Sequence, residues 1–545
     1  MNTVLKSSIS PTVFSCFAAF NRRGKWPFPR PYFIFLLIIL ACVPTARQGL
    51  AAGSRVLSPQ ADRWPACNDN AESQTISFVH VADVHARYNP DQGGSSPLAR
   101  IRGFVEQLKR ENSYTVFTNG GDDYEKGSIA EEISQGLTTR QVVQAMHYDV
   151  RTLGNHDFAW GMEELLAFSH DPAGIVVASN TKMTGGAPGW VDYAELEVGC
   201  VRIGFFGLVS RPWNEKDEQY EGSFYPERPE LQSDFDFVAI ANDIIVSHRQ
   251  EVDLLVLVSH LGVEEDMRLA QQIRGIDLIL GGHSHTTMTE PVRIINTTII
   301  HAGAFAEKIG RFDLDFDLRD REITASRFLL ADNREGETPV DEPTDREVKR
   351  IISPYLEEIH ADFANISAGQ SKKAMALIAA RAAVETLEAD AAFVSRHSPR
   401  KEWRSGPLTR QDVLDAFPVE REPAGNPGFS SLYLIRGSGA DLLRAQTSLS
   451  DFAYWGPETI DPTATYTIAI QKAQAFHQRH YFGREISLTP PHHGAELWEA
   501  VVAFGHVRNA ASLSVDENAR GAAGHDLVAF LQEIGNQLPM EGGEN

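Results

Sequence analysis

The feature that most constrains the fold is an alternation of short apolar runs with amphipathic stretches between residues 74 and 330. Runs such as TISFVHVAD and VDLLVLVSH have the composition of buried β-strands, whereas LARIRGFVEQLKREN carries apolar residues at helical spacing. Strands that alternate with helices predict an α/β domain, here a two-layered βαβ sandwich. Because polar residues just past strand ends collect in one crevice of such sheets, these strand ends are the expected location of a functional site.

The domain organisation follows from length and from shifts in pattern. A chain of 545 residues is too long for one typical hydrophobic core, which predicts two domains. Residues 74–330 contain the alternating pattern and form the first. Residues 331–364 combine a charged, proline-containing linker with a connecting helix over REVKRIISPYLEEIHADF. Residues 365–537 mix helical and short-strand patterns and form a smaller α/β or α+β domain.

The first 51 residues differ from the rest, because they carry basic side chains and no acidic ones. They also contain an apolar run of 12 residues, Tyr32–Val43. This run is short for a transmembrane helix, which needs about 20 apolar residues, but is typical of a signal peptide when small residues follow it. We therefore expect export to the periplasm or the cell surface. An uncleaved membrane anchor, a twin-arginine signal at Arg22-Arg23 and lipidation at Cys42 are the alternatives for its processing.

The cysteines leave one question open. Cys16 and Cys42 lie within the predicted signal peptide, and Cys67 and Cys200 lie beyond it. An oxidising compartment would let the second pair form a disulfide. Two cysteines so far apart in sequence can equally be separate buried thiols.

The charge balance limits the partners. With 50 Lys and Arg against 73 Asp and Glu, the formal net charge is −23. Binding to a nucleic-acid polymer needs a positive surface, which this composition does not indicate. An acidic protein that handles phosphate can obtain local positive charge from bound metal ions.

Side chains suited to metal binding follow five of the apolar runs. In chain order they are Asp83, His85, Asp122, Asn155, His260, His283 and His285. Each motif alone is more typical of a turn or of a buried core histidine, but their coincidence at successive strand ends predicts a site. Imidazole, carboxylate and amide oxygen suit Mn, Fe, Zn or Co. Seven such groups exceed what one ion needs, whereas two ions that share a carboxylate would use them all.

These motifs, in the order D-x-H, GD, GNH(D/E), H and GHxH, resemble those of the calcineurin-like metallophosphoesterases. The stretch SHLGVEEDMRLAQQIRGIDLILGGHSHT and the chain length are similar to the exported 5′-nucleotidase family. The resemblance is close from Ile76 to Leu318 and looser afterwards. It implies a metallophosphoesterase sandwich at residues 74–330, followed by a smaller 5′-nucleotidase-like substrate-binding domain at 365–537.

The resemblance also implies roles for individual residues. One metal would be held by Asp83, His85, Asp122 and His285, and the other by Asp122, Asn155, His260 and His283. The two divalent ions would be Mn, Zn, Co, Fe or Mg. His156 would be catalytic, stabilising the transition state or assisting the leaving group. Asp123, the next residue in GGDDYEKGS, is an alternative to Asp122 as the shared ligand.

The chain departs from the family beside the predicted catalytic histidine. The family continues GNHEFD, where an Asp three residues after the His orients it, and here that position is Ala159. Asp157 is adjacent to His156 and should point elsewhere. Gly154 would permit the tight turn that presents Asn155 and His156.

The second domain departs further. In FVSRHSPR the chain keeps the arginine of the family's substrate loop, as Arg400, but Ser395 replaces its Asn. Val419 and Ala473 stand where the family has the two Phe residues that sandwich a base. We therefore predict Arg400 as a substrate-binding residue and no base stacked in the family manner. The remaining candidates for a different aromatic platform are Phe417, Phe476 and Tyr481.

The leading prediction is an exported phosphoesterase that hydrolyses small phosphate monoesters, such as nucleoside 5′-monophosphates, by attack of a water that bridges two metals. A 2′,3′-cyclic-nucleotide or nucleotide-sugar phosphodiesterase is the first alternative. A catalytically weakened phosphate-ligand binding protein is the second, which Ala159 favours and the complete ligand set opposes. The sequence does not determine the oligomeric state.

Overall fold

The computed structural model describes residues 56–57, 63–68, 70–90, 93–172, 174–214, 219–220, 222–421, 430–488 and 496–508. The predicted signal peptide at 1–51 and residues 509–537 of the predicted second domain lie outside this range. None of the described helices is long and apolar enough to cross a membrane.

Up to residue 332, the described strands alternate with helices as predicted in two stretches, residues 73–169 and 237–281, and the other strands follow one another directly. The strands are β1 (Val56–Leu57), β2 (Ser73–Val81), β3 (Thr115–Asn119), β4 (Val150–Thr152), β5 (Ile175–Val177), β6 (Thr181–Met183), β7 (Trp190–Val191), β8 (Tyr193–Val198), β9 (Val201–Val209), β10 (Trp213–Asn214), β11 (Gln219–Tyr220), β12 (Leu231–Ser233), β13 (Leu254–His260), β14 (Leu278–Gly281), β15 (Val292–Ile294), β16 (Thr297–His301), β17 (Lys308–Asp317) and β18 (Glu322–Asp332). The helices are α1 (Pro97–Glu111), α2 (Ile129–Ser134), α3 (Leu137–Ala145), α4 (Gly161–Ser169), α5 (Phe237–His248) and α6 (Val263–Gln272).

Two seven-stranded sheets form the centre of this region. The first has the order β18-β17-β2-β3-β4-β5-β7, with parallel pairing from β2 to β7. The second has the order β1-β8-β9-β13-β14-β16-β15, with β9, β13, β14 and β16 parallel. Their inner faces share one apolar core, in which Phe78 of β2 meets Phe205 of β9 edge to face.

Helices cover the two outer faces. Helix α1 buries Leu98, Ile101, Val105 and Leu108 on one side, a helical spacing that matches its predicted pattern. Its first turn is capped by Ser96, whose hydroxyl oxygen accepts the Leu98 N–H. Helices α1 and α3 pack against the first sheet, and α5 and α6 against the second. The mixed α/β fold with a central sandwich is therefore confirmed.

A disulfide joins Cys67, which precedes β2, to Cys200 in the turn between β8 and β9. The sequence left this pairing open. The bond ties the segment before β2 of the first sheet to the β8–β9 turn of the second.

The chain after residue 332 forms a smaller α/β arrangement. Its elements are α7 (Glu342–Ile352), α8 (Leu356–His360), β19 (Asp362–Ile366), α9 (Lys372–Thr386), β20 (Ala391–Ser395), β21 (Gly406–Thr409), α10 (Arg410–Ala416), β22 (Leu432–Ser438), α11 (Gly439–Ser448), β23 (Phe452–Trp455), β24 (Thr465–Gln471), α12 (Lys472–Phe476), α13 (Gln478–Phe482) and α14 (Leu497–Arg508). A four-stranded sheet, β22-β24-β20-β23, lies between two apolar clusters. The boundaries predicted for the two domains stay a prediction.

The structure differs from the prediction in the connecting helix. The single helix expected over residues 346–363 is divided into α7 and α8 by a 3-10 turn, Ser353–Tyr355. Pro354 explains the division, because proline has no N–H and its ring clashes with the preceding turn. The last two residues of the expected helix lie in β19 instead.

Candidate metal centre

Two groups of potential metal ligands lie where strands of the two large sheets end. One group is Asp83, His85 and His285, and the other is Asp122, His260 and His283. Within each group, the ligand atoms lie within 4.8 Å of one another. They come from the turns after β2, β3 and β14 and from the end of β13. The structure thus places six of the seven predicted ligands in two adjoining clusters.

Asp122, and not its neighbour Asp123, connects the two groups. Asp122 Oδ2 lies 3.0 Å from His260 Nε2 and 3.8 Å from His85 Nε2. Asp123 points away and accepts a hydrogen bond of 2.8 Å from the Asn119 side-chain amide. One carboxylate within reach of both groups is what a two-ion centre with a shared ligand requires.

Hydrogen bonds behind the histidines aim their Nε2 atoms into the site. His85 Nδ1 donates to the Tyr124 carbonyl at 2.9 Å, and His260 Nδ1 donates to the Gly120 carbonyl at 2.6 Å. Metal-binding histidines are commonly oriented in this way. His85 Nε2 then faces His285 Nε2 at 3.1 Å. Although His260 Nε2 is close to Asp122, it has no aligned hydrogen-bond partner among the described groups.

The backbone at these ligands is strained. Left-handed φ angles occur at five of them: Asp83 (53°), His85 (51°), Asp122 (59°), His283 (76°) and His285 (53°). Non-glycine residues rarely adopt this conformation, and such strain clusters at functional sites. Gly154 has a related role, because an added Cβ would lie 2.0 Å from Asp122 Oδ1. Gly154 begins the predicted turn, in which its carbonyl accepts the Asp157 N–H at 3.3 Å, and the close approach to Asp122 is a second reason for a glycine here.

The electrostatics also fit bound cations. Burial raises the pKa of Asp83 to about 8, and burial together with nearby His260 lowers the pKa of His283 to about 3. The pKa of His260 is instead raised to about 9, because burial, which lowers it, is outweighed by Asp122 and Asp83. A divalent cation would offset the desolvation of these carboxylates and take the place of the proton on His260. The residues present therefore fit two metal ions.

Asn155 and His156 lie next to Asp122. The backbone N–H of His156 donates to Asp122 Oδ1 at 2.9 Å, and Asn155 Oδ1 accepts a hydrogen bond of 3.3 Å from the Ser210 hydroxyl. Asp157 accepts the Gly154 N–H at 2.7 Å and does not contact the His156 ring, in agreement with the expectation that it points elsewhere.

Two residues that the sequence reasoning missed flank the His156 ring. Its Nδ1 forms a short hydrogen bond with the Glu125 carboxylate, and its Nε2 lies 3.2 Å from Lys126 Nζ. Burial and Lys126 lower the pKa of His156, but Asp122 and Glu125 outweigh them and raise it above its usual value. The only sequence signal for both residues was their place in GGDDYEKGS, directly after the Asp motif.

A cleft of about 1050 Å³ extends from the metal ligands to the region after residue 332. Its charged and polar lining includes His285, Lys126, Arg87, Lys401 and Arg400. The predicted substrate-binding residue, Arg400, therefore faces this cleft, half-exposed and 3.6 Å from a carboxylate oxygen of Glu420. Glu420 also lies 3.7 Å from Lys126, so the two cations share one counter-ion.

The aromatic residues considered as an alternative platform do not line this cleft within the described part of the chain. Phe417 is buried against Trp403, and Phe476 packs against Tyr433. Tyr481 packs against Phe452. The alternative platform is therefore not supported. The described lining of the cleft does include Phe305, whose ring packs beside those of His85 and His285.

Known proteins similar to this chain include phosphoesterases and 5′-nucleotidases. The model of the calcineurin-like phosphoesterase family matches residues 76–287. A 5′-nucleotidase of Homo sapiens is 25% identical over 319 residues, which cover 51% of this chain and 52% of that protein. An apyrase of Tabanus yao is 26% identical over 274 residues, covering 44% and 48%. The chain thus spans about half the length of the curated relatives that it matches.

Solved structures extend the likeness to the fold of the second region. The 5′-nucleotidase precursor from Thermus thermophilus superimposes with a TM-score of 0.62 at 18% identity, covering 79% of this chain and 96% of that one. At this identity the comparison establishes the fold. The predicted resemblance to the calcineurin-like phosphoesterases, and to the 5′-nucleotidases among them, is confirmed by these matches.

Proposed function

We propose that the chain is a two-metal hydrolase of small phosphate esters, because the calcineurin-like phosphoesterase family model matches residues 76–287. The observation that carries the proposal is the position of Asp122. It lies within reach of both ligand groups and accepts the backbone N–H of His156. His285 of one group, together with Lys126, lines the large cleft. A binding protein would need neither a shared carboxylate nor a histidine fixed beside it.

The proposed ligands of one ion are Asp83, His85, Asp122 and His285, and those of the other are Asp122, Asn155, His260 and His283. Divalent cations held there would neutralise the charge on the phosphoryl oxygens. They would also lower the pKa of a water molecule, which would then supply the hydroxide that attacks phosphorus. The identity of the metals is left to the experiment below.

The remaining steps fall to this chain's own side chains. We propose that His156 and Lys126 contact the phosphate, because His156 Nε2 and Lys126 Nζ lie 3.2 Å apart beside the ligand groups. The Lys126 ammonium would bind a phosphoryl oxygen as a point charge. His156 Nε2 would hold a proton close to the ester oxygen and stabilise negative charge as that oxygen leaves. No covalent intermediate is required.

For the substrate, we propose a monoester whose leaving group is polar, nucleoside 5′-monophosphates included. Arg400 would contact this group, because its planar fork suits a ribose, a carboxylate or a second phosphate. The second candidate is a 2′,3′-cyclic-nucleotide or nucleotide-sugar diester, which a cleft of about 1050 Å³ has the volume to hold. The complete set of candidate ligands weighs against a weakened binding protein.

We also propose roles for the two domains and export of the chain. Residues 74–330 would be the catalytic domain and 365–537 the substrate-side domain, with 331–364 between them. The Cys67–Cys200 disulfide supports export, because such bonds persist in oxidising compartments.

The test is an assay of metal-free protein reconstituted separately with Mn, Co, Zn and Mg, on monoesters, cyclic nucleotides and nucleotide sugars. We expect phosphate release that depends on metal and requires about two ions per chain. Retained binding of two ions with no hydrolysis of any ester would contradict the proposal and favour the binding protein. Faster cleavage of the diesters would favour the second candidate.

A further inference from the structure

The Glu125 carboxylate lies between the His156 ring and the region after residue 332. Its side chain is fully buried. One oxygen accepts the hydrogen of His156 Nδ1, and the other accepts the backbone N–H of Arg421. Both oxygens therefore have a partner, and the carboxylate is held in one orientation.

This contact fills a gap that the sequence leaves. The related family orients its histidine with an Asp three residues later, where this chain has Ala159. Ala159 follows the 3-10 turn His156–Phe158, and its side chain offers no hydrogen-bond acceptor. Asp157 is occupied by backbone N–H groups, including those of Gly154 and Asp123. The carboxylate on His156 Nδ1 therefore comes from a different loop.

We propose that Glu125 is the positioning residue of His156 and replaces the aspartate that is missing at position 159. The inference rests on the proposed function, in which His156 acts on the phosphate. By holding Nδ1–H, Glu125 fixes the ring, which packs edge to face with that of His85, and leaves Nε2 beside Lys126 Nζ. A carboxylate on one imidazole nitrogen sets both the tautomer and the orientation of the ring.

The local backbone explains how one loop supplies both neighbours of the ring. Glu125 and Lys126 have left-handed φ angles of 68° and 65°. In this conformation, Glu125 contacts Nδ1 of His156, and the next residue, Lys126, lies beside Nε2 of the same ring. The Glu125 N–H donates to Glu131 at 2.7 Å, which holds the loop. Strain of this kind persists only where surrounding contacts support it.

The contact with Arg421 connects the later region to this arrangement. The Arg421 guanidinium pairs with Glu132 and lies over the Trp160 ring at 4.5 Å. Its backbone N–H is then directed at Glu125. Glu132 therefore offers a matched control, because it contacts the same arginine and does not contact His156.

The experiment compares wild-type protein with Glu125→Gln, Glu125→Gln/Ala159→Asp and Glu132→Gln. Glutamine keeps the shape of Glu125 but has one acceptor oxygen for two donors. The Arg421 N–H can only donate, whereas His156 Nδ1 can also accept, so we expect the amide to turn its NH₂ group to Nδ1 and the Nδ1–H hydrogen bond to be lost. We expect Glu125→Gln to lower kcat by about 10- to 100-fold, as losses of supporting residues commonly do, while KM and metal content stay near wild type. In the double variant, Asp at position 159 should recover most of kcat. Glu132→Gln should keep it.

A second measurement is independent of catalysis. In metal-free protein, ¹⁵N-detected NMR of the imidazole, assigned through His156→Ala, reports whether Nδ1 carries a hydrogen-bonded proton. We expect this signal in wild type, its loss in Glu125→Gln and its return in the double variant.

Three results would overturn the inference: equal loss of kcat in Glu132→Gln, loss of metal in Glu125→Gln, or failure of Ala159→Asp to restore both the NMR signal and kcat. If wild-type protein hydrolyses no phosphate ester, the proposed function fails, but the NMR comparison still decides whether Glu125 positions the ring.

Discussion

The turns that carry the candidate metal ligands and the later loop that carries Arg400 differ in how closely they are tied to the sheets. In the first, every candidate ligand is attached directly to a strand end of a rigid sandwich, so the chain path alone brings Asp83, Asp122 and His260 together. In the second, the expected Asn and the two expected Phe residues are absent. Arg400, which lines the cleft, lies in the loop between β20 and β21. If the proposed function holds, the chemistry depends on side chains at strand ends and the substrate preference on loops.

The largest effect is expected at Asp122, the proposed shared ligand of the first region. We expect Asp122→Asn to abolish metal-dependent activity, by about 1000-fold or more, because an isosteric amide cannot replace the charge of a carboxylate shared by two cations. Metal content by mass spectrometry and kcat/KM on a phosphate monoester measure the effect. Asp123→Asn is the control and should retain the metals. Metal loss in that variant instead would make Asp123 the shared ligand.

The next effect separates binding of metal from action on the phosphate. His156→Ala should lower kcat by about 100- to 1000-fold while metal content stays near normal, because we propose that this side chain acts on the phosphate and binds no metal. Asn155→Ala should instead weaken metal occupancy. Both are measured by metal titration beside steady-state kinetics. Loss of both metals in His156→Ala would identify it as a ligand.

The second region should contribute a smaller effect. We expect Arg400→Ala to raise KM by about tenfold with kcat and metal content little changed, since a half-exposed arginine supplies substrate binding worth about 1–2 kcal/mol. Lys401→Ala is a matched control from the same cleft, because its ammonium is paired with Asp415. A large fall in kcat at unchanged KM for Arg400→Ala would place this residue in the chemistry instead.

The smallest expected effect is discrimination between leaving groups. Because Val419 is buried and the described cleft lining contains no pair of stacking aromatics, AMP, UMP and a simple sugar phosphate should differ by about tenfold or less in kcat/KM. The three are compared under the same metal. A preference above about a hundredfold for either nucleotide, near 2.7 kcal/mol, would show that another base platform exists.

Much of the first region could be predicted from the amino-acid sequence. The apolar runs that became β2, β3, β13 and β14 are nearly continuous, as is typical of strands buried on both faces. Once such strands lie parallel in packed sheets, the polar residues after them must meet at one edge, and this is why the candidate ligands could be predicted from the sequence.

The tertiary structure decided the details that depend on contacts distant in sequence. It distinguished Asp122 from Asp123, which are chemically identical neighbours, through the turn that directs one of them toward His260 and the other toward Asn119. It also placed Phe417 in a core instead of the cleft.

The partner of His156 shows the physical reason for this division. Local periodicity and motif order are short-range properties, so they determined the strands, their ends and the ligand types. The contact of Glu125 with His156 spans 31 residues, and its contact with Arg421 spans 296. Both require a left-handed loop and a second region packed against it, and no local pattern encodes that combination.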